Sequence, residues 1–179
     1  YSGDMINTHN TTIPQILLDC DPGADDFFAF FWALGLHKKW IIKIRAISTT
    51  GGNVGSESTY KNALRACEFM EVDDVPVGLS SIVVKSKNAT HIHGQDGLWD
   101  ASRFLPKVKI PKIPLSSADL IEKTLKKYPE TQILTFGPMT NIAHFLQKNG
   151  AVYTGRLIGM GGAFQVPWNV TSVAEFNVA

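Results

Sequence analysis

With 179 residues, 44% apolar and 18% charged, the chain holds enough core-forming material for one domain and too much for a disordered one. A net charge of +1 argues against a nucleic-acid binder that works by neutralising phosphates, and the longest apolar run, 27–36, is about half of the ~20 residues a membrane-spanning helix needs. Two cysteines, Cys20 and Cys67, exclude a disulfide scaffold.

Residues 1–14 are polar and read as a loose segment ahead of one domain over 15–179. A short apolar strand is predicted at 16–19, followed by a helix over 24–37. This helix carries Phe27, Phe28, Phe30, Phe31, Trp32, Leu34 and Leu36 with no polar face, so it is expected to be buried on most sides. A β-branched strand follows at 41–49, a helix at 58–70 and a short strand at 75–79. Residues 80–114 are irregular and rich in proline. The pattern then gives a helix over 116–128, a strand at 132–136, a helix at 140–148, in which His144 is expected to pack into the core, and a strand at 156–160. Strands alternating with helices predict an open, mostly parallel, doubly wound α/β sheet.

The chemistry concentrates where the first strand meets the first helix. Asp19-Cys20-Asp21-Pro22-Gly23-Ala24-Asp25-Asp26 places four carboxylates in one turn without a lysine or arginine. Strand periodicity points Asp19 and Asp21 the same way, and Pro22-Gly23 returns Asp25 and Asp26 to their neighbourhood. Two like charges 4 Å apart repel by about 4 kcal/mol at an effective dielectric of ~20. A hard divalent cation with oxygen ligands, Ca²⁺ or Mg²⁺, would relieve that repulsion. Glycine turns with Thr, Asn and Glu recur after the later strands, and ligands of open parallel sheets bind at that end.

This aspartate segment resembles the signature of the inosine–uridine preferring nucleoside hydrolases. Supporting stretches come in the family's order: Thr49-Thr50-Gly51-Gly52-Asn53, His91-Ile92-His93-Gly94, Gly137-Pro138-Met139-Thr140-Asn141-Ile142-Ala143, Met160-Gly161-Gly162, and the segment 169–177. The resemblance covers 16–177. It implies a Ca²⁺-dependent enzyme that hydrolyses the N-glycosidic bond of ribonucleosides to free base and ribose. By position, Asp21 looks like the metal-bound general base and Asp26 like a second carboxylate ligand. Phe136 sits where a backbone carbonyl meets the metal, with Asp19 supporting the ligands from behind. Asp25, Asn53, Asn169, Glu175 and Asn177 match ribose-hydroxyl contacts, Met160 lies under the sugar, and His93 borders the substrate.

Family members are longer, and their later portion supplies a further aspartate ligand and a histidine that activates the leaving group. The chain is therefore expected to be part of a larger enzyme, a homodimer or homotetramer when whole, with no nucleic-acid or membrane partner. Three Asn-x-Ser/Thr sequons, at Asn10, Asn88 and Asn169, exceed the roughly one expected by chance and favour a secreted protein over a cytoplasmic one. A glycan on Asn169 would fill the pocket, so that sequon is expected to be bare. Two other readings compete: a secreted Ca²⁺-dependent nucleoside- or sugar-binding protein without turnover, and a Mg²⁺ phosphotransferase using Asp-x-Asp, which leaves Asp25 and Asp26 without a role.

Overall fold

The computed structural model of the chain describes residues 12–82, 89–149, 153, 155–162 and 177. Among them, strands β1 (Gln15–Cys20), β2 (Lys43–Thr49), β3 (Val77–Leu79), β4 (Leu115–Ser116), β5 (Gln132–Thr135) and β6 (Leu157–Gly159) form one sheet. Every pairing in it is parallel, in the order β4-β3-β2-β1-β5-β6. The helices are α1 (Ala24–Lys38), α2 (Ser56–Phe69), α3 (Thr90–His93), α4 (Ser117–Lys127) and α5 (Thr140–Asn149).

The side-chain alternation of β1 splits the core into two layers. Ile16, Leu18 and Cys20 join Phe30 and Leu34 of α1 with Tyr60 and Ala63 of α2. Leu17 faces the other way, into a layer with Ala46, Ile133, Leu120 and Ile121 of α4, and Ile142 and Phe145 of α5. Phe30 is fully buried, which contributes about 1.5–3 kcal/mol relative to leaving the ring in water. Helices on both faces make the sheet doubly wound, as expected. The chain runs outward from β1 through β2, β3 and β4, then places β5 on β1's other flank. That reversal opens a crevice beyond the carboxyl ends of β1 and β5.

Several local expectations are corrected. Helix α1 is not enclosed: Phe28 and Trp32 are 77% and 72% exposed. The sheet and α2 cover its inner side, and nothing among the described residues packs on the outer one. His144 points outward from α5 and is exposed, because Asn141, Ile142 and Phe145 form that helix's buried stripe. Strand β2 starts at Lys43, later than expected, because α1 needs residues 39–42 to close. Trp40 takes a left-handed φ of 57°, and Ile41 N–H donates to Leu36 O at 3.0 Å. His37 pins this junction: its Nδ1 accepts the Ile44 N–H at 3.1 Å, so its Nε2 carries the proton given to Asp74 at 3.0 Å. No described helix is long and apolar enough to cross a membrane.

Candidate active site

Asp21 is the first residue past β1, and Asp26 is the third residue of α1, across the Pro22-Gly23 turn. Asp26 folds back to accept the Gly23 N–H at 2.7 Å, which satisfies a donor the helix start would leave orphaned. Asn53, in the turn after β2, braces both acids. Its backbone N–H donates to Asp21 Oδ2 at 2.7 Å; its side-chain amide donates to Asp21 O and to Asp26 Oδ2, each at 2.9 Å. The fit is tight enough to require glycine nearby. A Cβ at Gly137 would lie 2.5 Å from Asp21 Oδ1, and one at Gly52 would collide with Asp21 Oδ2.

Asp21 and Asp26 are 3% and 7% exposed, and neither pairs with a lysine or arginine among the described residues. Burial pushes the Asp21 carboxyl up to about 7, aided by the charges of Asp25 and Asp19 and opposed by the Asn53 N–H. Burial, then the charge of Asp21, raises Asp26 well above the usual carboxylate range. Cys20, between Asp19 and Asp21, is also buried, and its thiol is pushed up by burial and then by Asp26. It is not poised as a nucleophile.

These groups line a cleft of about 510 Å³ at the β1–β5 crevice, together with Asp25, Ala29, Ala89, Ile92, His93, Phe136, Met160 and Asn177. Asp25 is exposed on the rim. His93 Nδ1 lies 3.7 Å from Asp25 Oδ1, too far for a hydrogen bond, and this buried atom has no other partner among the described residues. The Phe136 ring turns inward, edge-on to Phe30 with centroids 6.0 Å apart. That leaves the residue's backbone to the cleft, where Asn177 Nδ2 donates to Phe136 O at 3.5 Å and to Met160 O at 3.1 Å. A larger hollow of about 640 Å³ lies between α2 and residues 107–115, floored by Leu64, Val72 and Val77. It gathers no buried carboxylates, so size does not identify the reactive site here.

The donor set suits a hard divalent cation in kind. Asp21, Asp26 and the Phe136 carbonyl are all oxygen donors, and among the described residues the two buried carboxylates lack a compensating charge. In number it is incomplete. Among the described residues no three His, Cys, Asp or Glu side chains gather as a metal centre, whereas Ca²⁺ takes about 6–8 oxygens.

Asp19 does not share the direction of Asp21 that strand periodicity predicts. Strand β1 ends at Cys20, so the alternation stops before Asp21, and Asp19 points away from the cleft, into the α5 side of the sheet. Its carboxylate accepts from Ser48 Oγ at 2.6 Å, Asn141 Nδ2 at 3.1 Å and Thr135 Oγ1 at 3.4 Å. Full burial still pushes it up to about 6. Its carbonyl accepts the Phe136 N–H at 3.0 Å, so Asp19 fixes that end of β5 from behind. Asn141 extends the network to Ser80 and to Thr49 O. The sequence patterns do not single out Ser80 or Asn62 as parts of the site. A buried polar residue on an amphipathic element carries no periodic signal of its own. Asn169 and Glu175, and the sequons at Asn10 and Asn88, lie outside the described residues.

Comparison with known proteins agrees with this geometry. Residues 16–179 match the family model described as inosine-uridine preferring nucleoside hydrolase. The chain is 33% identical to uridine nucleosidase 1 of Arabidopsis thaliana, covering 99% of this chain and 52% of that protein. It is also 33% identical to the pyrimidine-specific ribonucleoside hydrolase RihA of Escherichia coli O1:K1 / APEC, covering 91% and 52%. Among solved structures, the plant nucleoside hydrolase PpNRh1 superposes with a TM-score of 0.80 at 30% identity, covering 93% of this chain and 53% of that one. A purine-preferring ribonucleoside hydrolase from Gardnerella vaginalis gives 0.78 at 29%, covering 91% and 53%. The chain thus spans about half the length of the relatives it matches.

Proposed function

Because the chain belongs to the inosine–uridine preferring nucleoside hydrolase family, we propose that its cleft serves the hydrolysis of the N-glycosidic bond of ribonucleosides to free base and ribose. The observation that carries this reading is the pair Asp21 and Asp26, two buried carboxylates held in one cleft by Asn53 with no cationic side chain beside them among the described residues.

Asp21, Asp26 and the Phe136 carbonyl would hold a divalent cation, which we take to be Ca²⁺ from the all-oxygen set. When bound, that ion supplies positive charge that orients and acidifies the attacking water. Asp21 takes one proton of that water, whose oxygen bonds the anomeric carbon. The carbon–nitrogen bond breaks, its electron pair leaves with the base, and the base nitrogen is then protonated. Positive charge builds on the ribose ring in such cleavages, and the carboxylates beside it stabilise that charge. Asp25, Asn177, Met160 and His93 line the same cleft; in this reading Asp25 and Asn177 bind ribose hydroxyls, Met160 lies beneath the sugar and His93 borders the substrate.

The test is incubation of the intact protein with uridine, inosine and adenosine. Release of free base with ribose is the expected result. Ribose phosphate formed only when phosphate is present would indicate phosphorolysis, and calcium-dependent binding without release would indicate a binding protein.

A further inference from the structure

We propose that Asn62, which does not line the cleft, is a positioning residue that locks the loop carrying His93 onto the turn carrying Asp21; the inference deepens the hydrolytic reading and rests on it. Asn62 lies on α2 and is fully buried. Its Nδ2 donates to Pro22 O at 3.1 Å and to Asp96 O at 2.8 Å, and its Oδ1 accepts from Arg65 Nη1 at 2.9 Å. Both amide protons are spent on carbonyls of different segments, one inside the acidic turn and one in the loop after α3.

From Asp96 the linkage continues to His93. The Asp96 carboxylate gathers the N–H groups of Leu98, Asp100 and Ser102 at 2.8, 3.0 and 3.1 Å. It holds a strained turn, in which Trp99 and Asp100 take left-handed φ angles of 52° and 60°. Trp99 in turn donates its N–H to His93 O at 2.9 Å and its indole N–H to Ile92 O at 2.7 Å. Gly97 packs directly on Asn62: a Cβ there would sit 3.2 Å from Nδ2. A second tether, Ala89 N–H to Gly52 O at 3.3 Å, holds the other end of the segment to the Asn53 turn. The position of His93 over Asp25 is therefore set by Asn62 through Asp96 and Trp99.

Asn62→Asp tests this, because it keeps the size and the acceptor for Arg65 while setting an oxygen against both carbonyls. Base release by the intact protein is measured for wild type, N62D, H93A and the double variant, and native-state trypsin cleavage after the exposed Arg103 reports loop docking. N62D is expected to lower kcat/KM by about tenfold to hundredfold. The double variant should fall within about threefold of the worse single one, the non-additivity of residues acting as a unit, and cleavage at Arg103 should quicken at least about tenfold by local opening. Independent, multiplicative losses from N62D and H93A, or unchanged cleavage at Arg103, overturn the proposal. If N62D does not fold, Asp96→Ala keeps the carbonyl that Asn62 grips but removes the carboxylate that passes its hold to Leu98, Asp100 and Ser102, and it is read in the same two assays. If wild type releases no base, the hydrolytic reading fails, while the cleavage comparison still decides whether Asn62 docks the loop.

Discussion

The backbone N–H of Asn53 donates to Asp21 Oδ2 at 2.7 Å, and the same residue's amide reaches Asp26 Oδ2 at 2.9 Å. One residue from the β2 turn thus spans two acids from the β1 turn, holding them together against their mutual repulsion. Both bonds favour the charged carboxylates and so lower the two pKa values that burial raises.

Replacing Asn53 with Ala keeps the backbone bond and removes the two made by the amide. A hydrogen bond to a charged group contributes about 1.5–3 kcal/mol. The Asp26 carboxyl should then rise further, so cation uptake should weaken by about tenfold or more and its midpoint should move to higher pH. Calcium titrations of wild type and N53A at several pH values measure both effects.

Gly137→Ala should disable the site more than it harms the fold. The added methyl would meet Asp21 Oδ1 at 2.5 Å and Asp21 N at 2.8 Å, so Asp21 must move. Overpacking typically costs about 1–3 kcal/mol, whereas a displacement near 1 Å at a reacting group can cost about a hundredfold in rate. Gly55→Ala is the control, since nothing lies within 4 Å of the added Cβ. Thermal melts and base-release rates of the two variants should diverge accordingly.

Asp19 makes stability depend on pH in an unusual direction. Its folded pKa of about 6 lies above the ordinary 3.8, so the folded state holds the proton more tightly than the unfolded one. Its contribution therefore becomes less favourable as pH rises from about 4 to about 6 and is constant above that. Two pKa units correspond to about 3 kcal/mol. Asp19→Asn cannot titrate, so the stability of wild type minus that of D19N should fall across this window by up to that amount. Denaturant melts at pH 4.5 and 7 measure the difference. A constant difference would show that Asp19 stays charged, held by Ser48, Asn141 and Thr135.

The acidic turn was legible in the sequence because strand, turn and helix start fall within eight residues, and the spacing returns Asp26 to Asp21. The parallel sheet was legible from the alternation of elements. Strand β4 was not: two residues, Leu115 and Ser116, have no period to detect. The exposed Phe28 and Trp32 were missed because hydrophobicity tells that a face seeks cover, not whether a neighbour supplies it. Asn53 stood out in the glycine turn after the second strand and again through the family resemblance, whereas its grip on both acids did not show. Asn62 stayed silent, since its role depends on carbonyls that only the fold brings near.

The central claim is that Asp21 and Asp26 together hold a divalent cation that readies water for attack. Calorimetric titration of CaCl₂ into the intact protein and its Asp21→Asn variant, with base release assayed on the same samples, tests it most directly. The account predicts saturable uptake by the wild type that is weakened at least about a hundredfold in D21N, with base release lost in parallel. Equal calcium affinity and equal base release in the two proteins would contradict it.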